Sequence, residues 1–557
     1  MSSRPWRVRS IAAGATIVAV GLLAACGSNG NHASNSSGPS GTVTVLSVNG
    51  NFVANFNPFS PSAQVGTFGE IYEPLLFLNT AKAGSVQPWL ATTYSWSDGG
   101  KSITFQLRHG VKWSDGKPFT SADVAYLFQL EKSNSALNQY GLPLAGTSTS
   151  GPYSVTIDFT KPAYQDLYLF GGRTYMIPEH IWKNIKNPAN NLNSKPVGTG
   201  AYQVQSVSPQ VLTLTANPHY YLPGLPRVKT YRILNYTGTA SQTAVENGTL
   251  GWAGAFISNI NKVYLAKDPK YALVDIPLSV TYLIPNMVKG PQTALPVRQA
   301  ISLAIDRGYI SQAVYNGYAP AVDPEGLILP NFRNIASPAA LSDKFGGANA
   351  AAARKVLQQA GYKMGGNGFF TTPSGQPLTI NVKLVTGYTD YISILQIMQS
   401  ELKSAGIKLT YTQEAYPVWA ADQNDGNFQF LISNAGYTPS PYSYFYNLLA
   451  SAVTRPLGQG TGVFGNYGRY HNSAVDALLA NIAGTTDLSA QKPAFYQLEN
   501  LMKTQLPDIP LMEGQDEIEF NGHMVSGWPT KANPYAAPPI WLQPDGAWVA
   551  DRLRAAS

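Results

Sequence analysis

The chain has 557 residues, with 38 Lys+Arg against 31 Asp+Glu, 44% hydrophobic and 12% charged residues, a composition that excludes intrinsic disorder. No basic block marks a nucleic-acid partner, and a lone cysteine, Cys26, excludes a disulfide framework and any cysteine-rich metal site. The length exceeds what one compact core holds, so two or more lobes are expected.

Arg4, Arg7 and Arg9 open the chain without a nearby acid, and residues 11–25 follow as an apolar, small-residue run centred on Ile17, Val18, Val20, Leu22 and Leu23. A bilayer-crossing helix needs roughly 20 residues, more than this run offers. Its flanks are those of a cleaved secretory signal. Leu23-Ala24-Ala25-Cys26 resembles the lipobox of bacterial lipoproteins, which implies a signal peptide over 1–25 and an acylated Cys26. Several acyl chains, at about 0.8 kcal/mol per buried methylene, make a stable anchor where one chain does not. The alternative is an ordinary signal with a chance cysteine. Without the three arginines the balance is 35 basic residues against 31 acidic, close to neutral. Residues 26–41, rich in Gly, Ser and Asn, have almost nothing to bury and read as a flexible tether.

Beyond the tether, alternating or β-rich runs predict strands over 42–48, 102–108, 153–159, 211–216, 228–234 and 273–278, so the first half reads as β-rich. Thr120 and Asp123 predict an N-cap with a capping-box partner for a helix over 121–130. Pro296 opens a helix whose apolar stripe is Val297, Ala300, Ile301, Ala304 and Ile305. An Ala-rich helix over 349–360 stops at Gly361. A strand over 378–385, a helix capped by Thr389 and closed by Gly406, and a strand over 407–413 predict a parallel βαβ unit. The run Glu513, Asp516, Glu517, Glu519 reads as a solvated edge. The six histidines stand singly, without metal-ligand spacing, and no cofactor or metal is expected.

Several segments, in order, resemble the dipeptide/oligopeptide-type (family 5) extracellular solute-binding proteins. They are Asn57-Pro58-Phe59; Ile71-Tyr72-Glu73-Pro74-Leu75-Leu76; Pro88-Trp89-Leu90-Ala91; Ser97-Asp98-Gly99; and residues 104–124, TFQLRHGVKWSDGKPFTSADV. Pro196-Val197-Gly198-Thr199-Gly200-Ala201-Tyr202, Asn286, Val297-Arg298-Gln299-Ala300-Ile301 and Ala304-Ile305-Asp306-Arg307 follow. Weaker matches are Asn472, Asp476 with Leu478-Leu479, and Pro507-Asp508-Ile509-Pro510-Leu511. Locally, Asp115-Gly116 and Thr199-Gly200 read as tight turns that hold the fold.

The resemblance implies an α/β, two-lobed periplasmic-binding-protein-like fold (type II, cluster C-like) of three domains with a hinge and a central cleft. Domain I would take 42–86, 196–290 and 505–557, domain II 87–195 and domain III 291–504, the chain crossing between lobes near 286–298. It implies capture of a peptide-like solute for an ABC permease and its ATPase, by a monomer anchored at the outer face of the cytoplasmic membrane or on the periplasmic side.

In peptide-binding members an acidic residue in a loop of the third domain pairs with the ligand's amine; here that position holds Thr438 or Ser440. An unpaired buried ammonium would carry a large desolvation cost. The same loop is rich in aromatics, which suit sugar rings or peptide side chains. Ligand candidates are Asn51, Phe52, Trp252, Tyr282, Tyr416, Trp419, Tyr437, Thr438, Tyr442 and Tyr444, each weighed against plain packing. An oligosaccharide receptor of the same fold therefore stays open beside the peptide receptor. So does a surface-anchored hydrolase or a sensor, although the chain carries no His-Glu-x-x-His, Gly-x-Ser-x-Gly or P-loop motif and no catalytic residue is expected.

Overall fold

The computed structural model describes residues 40–47, 51–60, 62–236, 238–257, 259–329, 331–461 and 465–556. The signal segment and Cys26 lie outside the described residues. The first strand, Ser40–Ser47, begins inside the expected tether and pairs in parallel with Val228–Asn235.

Ten strands form one sheet in the order Lys408–Glu414, Thr379–Val385, Phe430–Gly436, Tyr271–Pro285, Ile509–Asn521, Trp252–Ala253, Ser40–Ser47, Val228–Asn235, Val211–Ala216, Tyr202–Val207. Its fourth and fifth members are 15 and 13 residues long and antiparallel to each other. The expected strand over 273–278 is thus only the first part of a longer one. Its continuation, Ser279–Pro285, is buried on both faces and loses the alternation that marks a half-exposed strand.

The core changes identity within both long strands. Val274, Ile276, Leu278, Ile518 and Phe520 pack with the N-terminal body around Phe77, Trp89 and Trp548. Past them, Leu283, Ile509, Leu511 and Met512 pack with helices of the 295–402 region, and Val280, Tyr282 and Ile284 with helices of the 441–502 region. Two separately cored lobes therefore share a sheet, and the exchange falls ahead of residues 286–298. A β-bulge sits at the exchange: Pro277 pairs with Gln515 but Ser279 with Gly514, leaving Leu278 as the extra residue.

In the second lobe, successive residues of one strand feed opposite faces, Leu283 one side and Tyr282 and Ile284 the other. Thr379–Val385, helix Thr389–Ser404 and Lys408–Glu414 form the parallel βαβ unit. Its helix is capped at Tyr388 without a side-chain bond, so Thr389 is the first helical residue and not the cap. In the first lobe, an antiparallel four-stranded sheet carries helix Ser121–Ser133. Here the capping box forms, with Thr120 N–H donating to Asp123 Oδ2 at 2.9 Å.

In the Pro196–Tyr202 block the chain bends at Thr199-Gly200, and its glycines serve a second purpose. A Cβ at Gly198 would lie 1.8 Å from the Ile71 carbonyl oxygen, and one at Gly200 2.2 Å from that of Glu70. Glycine is needed here for close backbone approach. Gly198→Ala should cost several kcal/mol, because backbone atoms and no flexible side-chain end must move. Chemical denaturation reads this, and a loss within the ±0.5 kcal/mol of a surface change would contradict it.

Candidate functional site

Three parallel strands of the second lobe, Thr379–Val385, Lys408–Glu414 and Phe430–Gly436, end on the same side of the sheet. Ligands of open α/β sheets bind beyond the carboxyl ends of strands. Beyond these ends lie Tyr388, Tyr416 and the Tyr437–Thr438 loop. Tyr388 and Tyr416 are 45% and 60% exposed, large aromatic area that the core does not use. Tyr416 lies offset over Trp419, ring centroids 6.2 Å apart.

Side-chain bonds also cross between the lobes. Asn331 Nδ2 donates to the Thr80 carbonyl at 3.2 Å, and Gln165 Nε2 to the Thr485 carbonyl at 3.3 Å. Tyr442 stacks on Tyr446 at 5.5 Å, and the Asp166 carboxyl of the first lobe acts electrostatically on both hydroxyls.

Tyr437 is the hub. Its φ of 53° lies in the left-handed region, unusual for an aromatic residue, and such strain concentrates at functional sites. Its N–H donates to the Leu278 carbonyl at 2.8 Å, tying the loop to the bulged residue between the lobes. Gly436 lets the loop approach, since a Cβ there would lie 2.7 Å from the same oxygen. The Tyr437 hydroxyl donates to Asp516 Oδ1 at 3.2 Å and accepts from Asn434 Nδ2 at 3.3 Å. Asn434 Oδ1 in turn accepts from Thr281 and Tyr391 hydroxyls, both at 2.7 Å. Asp516 Oδ2 is buried and, among the described residues, has no hydrogen-bond partner.

The acidic run is no solvated edge. It belongs to the Ile509–Asn521 strand, where Glu517 and Glu519 are buried and Glu513 and Asp516 half-buried. Glu517 stands directly opposite Asp275, an arrangement unfavourable for two ionised groups. Burial pushes Glu513, Asp516 and Glu517 up to about 7 and Asp275 to about 6, with repulsion from Asp275 adding to the first three; Lys531, 3.6 Å from Asp275, opposes the shift there. The unfolded groups titrate near 4. The folded state thus binds more protons between about pH 4 and 7, so its stability is greatest on the acid side and declines as pH rises through 6–7. The thermal midpoint is expected to rise when pH drops from about 8 to about 5.5. A midpoint that falls over that interval would contradict the shifts.

The structure sorts the sequence candidates. Tyr416, Tyr437 and Tyr442 stand at the rim or the lobe junction. Trp419 is 7% exposed and supports Tyr416. Trp252 is a core residue, donating from Nε1 to the Pro538 carbonyl at 3.0 Å and stacked on Phe520. Tyr282 and Tyr444 are buried, bonded to each other and to the Gly326 carbonyl. Phe52 is buried in the first lobe's core, and Thr438 is buried with Oγ1 accepting from Ser440 N. Asn51 is exposed on the first lobe, accepting from Asn235 at 3.3 Å. Sequence reasoning missed Tyr388, Asn434, Asp516 and the Asp275–Glu517 pair. A signal for Asn434 and Tyr388 lay in their position at strand ends. Among the described residues no helix is long and apolar enough to cross a membrane, and no His/Cys/Asp/Glu group is arranged to hold a metal ion.

Residues 85–455 match the profile of the bacterial extracellular solute-binding proteins, family 5 Middle. The glutathione-binding protein GsiB of Salmonella choleraesuis is 25% identical, across 82% of this chain and 87% of its own length. A putative ABC transporter peptide-binding protein of Brucella ovis is 27% identical, across 65% and 66%. Among solved structures, a periplasmic oligopeptide-binding protein of an oligopeptide ABC transporter from Thermotoga maritima, bound to mannohexaose, superposes with a TM-score of 0.82 at 24% identity, covering 92% of this chain and 98% of that one. AppA of Bacillus subtilis, an oligopeptide-binding protein in complex with a nonapeptide, gives 0.75 at 20% identity, covering 93% and 100%. These likenesses establish the two-lobed fold.

Proposed function

Because the chain belongs to the bacterial extracellular solute-binding proteins, family 5, we propose that it captures a peptide-like solute between its two lobes and delivers it to an ABC permease without catalysing a reaction. The observation that carries this is the joint between lobes: two strands shared by separate cores, bulged at Leu278, with Tyr437 and Asp516 beside the bulge. Asp516 supplies the carboxylate that the loop itself lacks at Thr438, so a peptide's ammonium has a partner, bonded to Tyr437 and with its second oxygen unbonded among the described residues. Closure about the bulge excludes water and strengthens that pair. Acylation at Cys26 would hold the protein at the cell envelope.

An oligosaccharide reading is favoured by the Tyr388–Tyr416 rim, and the mannohexaose complex of the Thermotoga protein belongs to the same fold. A thermal-shift panel of short peptides and manno-oligosaccharides decides between them. Ligand at 100 times its Kd should stabilise by about 2.7 kcal/mol. Peptide shifts support the first reading; sugar shifts with none from peptides overturn it.

A further inference from the structure

Outside the lobe junction, an open cavity of about 660 Å³ is lined by Arg227, Arg552, Arg554, Tyr535 and Ser526. Among the described residues none of the three arginines has a carboxylate within ion-pair distance. Asp551 acts on Arg552, but burial pushes it up to about 7 and its Oδ2 accepts from Tyr220 at 3.1 Å. Arg552 is held rigidly, its guanidinium 3.5 Å from the Trp548 ring centre and one nitrogen bonded to the Trp548 carbonyl at 2.9 Å. Arg227 Nη1 reaches the Arg552 carbonyl at 3.4 Å. Arg554 sits on a two-residue strand, Arg554–Ala555, paired with Val525–Ser526 at the cavity wall. Among the described residues several of these guanidinium nitrogens carry no bond, and a guanidinium is a planar fork that suits phosphate oxygens.

The cavity's place supplies the occupant. Ser40 N–H donates to the Arg227 carbonyl at 2.9 Å, so the chain enters the fold at this cavity's edge. Cys26 lies 14 residues earlier, a reach of at most about 50 Å. We propose that this arginine cavity binds a phosphate-type oxyanion, the head group of an anionic phospholipid, and seats the body on the membrane. The choice of a lipid occupant rests on the acylation of Cys26 proposed above; the anion chemistry does not.

The test compares the full chain with its R227E/R554E variant, two exposed positions outside the lobe junction. Sedimentation with phosphatidylglycerol and with phosphatidylcholine vesicles measures lipid preference, and calorimetric titration with glycerol 3-phosphate measures free-anion binding. An acyl anchor contributes equally to both vesicle types, so the change in that ratio between parent and variant reads the two cavity arginines. The parent is expected to prefer phosphatidylglycerol and to lose that preference with added salt. The double variant should reduce the preference about tenfold or more and abolish glycerol phosphate binding. An unchanged preference in the variant overturns the proposal. Glycerol phosphate binding without lipid preference overturns the lipid occupant and keeps the oxyanion site. Peptide-induced thermal shifts, read on the same two proteins, should be equal; their absence from both would sink the peptide reading and leave this site standing.

Discussion

Asp516→Asn should weaken peptide binding by about 10- to 100-fold, because it removes one charge-assisted hydrogen bond of about 1.5–3 kcal/mol while keeping the side chain's shape and its contact with Tyr437. Calorimetric titration with a short peptide measures it, and N-acetylation of that peptide should lose about as much on the parent and almost nothing further on the variant. Burial holds the free carboxyl well above its usual range, and an ammonium beside it favours the ionised form. Binding therefore releases a proton and tightens as pH rises from about 5.5 to about 8, the reverse of the trend in stability. Equal affinity of parent and variant for the free peptide would place the amine elsewhere.

Arg298→Met should destabilise the protein by about 3 kcal/mol or more. Arg298 is 3% exposed and donates to the carbonyls of Gln292, Thr293, Gln505 and Leu506 at 2.8–2.9 Å. It thereby closes helix Leu488–Gln505 and fixes the approach to the returning Ile509–Asn521 strand. Its charge also favours the ionised form of the fully buried Asp508. Methionine fills the space and leaves four carbonyls unpaired. Lysine, a single point donor in place of a planar fork, should rescue only part of the loss. The urea midpoint reads all three proteins, and a change within the range of ordinary surface substitutions would refute the role.

Where one segment decides its own structure, the sequence was readable. Thr120 and Asp123 close a box within four residues, and Thr379–Val385 through Lys408–Glu414 form their βαβ unit from contiguous chain. Arg298 and Arg307 drew attention as part of a family-like block, and both prove to be carbonyl clamps: Arg307 is fully buried, bonded to Pro510 and Ser302 oxygens. The acidic run misled because polarity is a local signal, whereas its burial comes from pairing with residues more than 200 positions away. The aromatics were ambiguous for the same reason. Tyr444 and Tyr442 differ by two positions on one helix, yet one meets Tyr282 inside the core and the other faces Asp166 of the opposite lobe. Helical spacing marks which residues share a face and says nothing of what lies across it.

The Leu278 carbonyl has a consequence for selectivity. It is at once the point where the connecting strand bends and the acceptor that fixes the Tyr437 backbone. If the lobes close about this bulge as proposed, a guest that displaces Tyr437 would pull on the pivot, and a change of interlobe angle would reposition the tyrosine hydroxyl. Recognition and shutting would in that way be one event read twice: a molecule that occupied the aromatic rim but left Tyr437 untouched would gain contact without biasing the angle. Discrimination among look-alikes would then fall at the shutting step, after first encounter, and a permease that accepts only the shut form would never receive the wrong cargo.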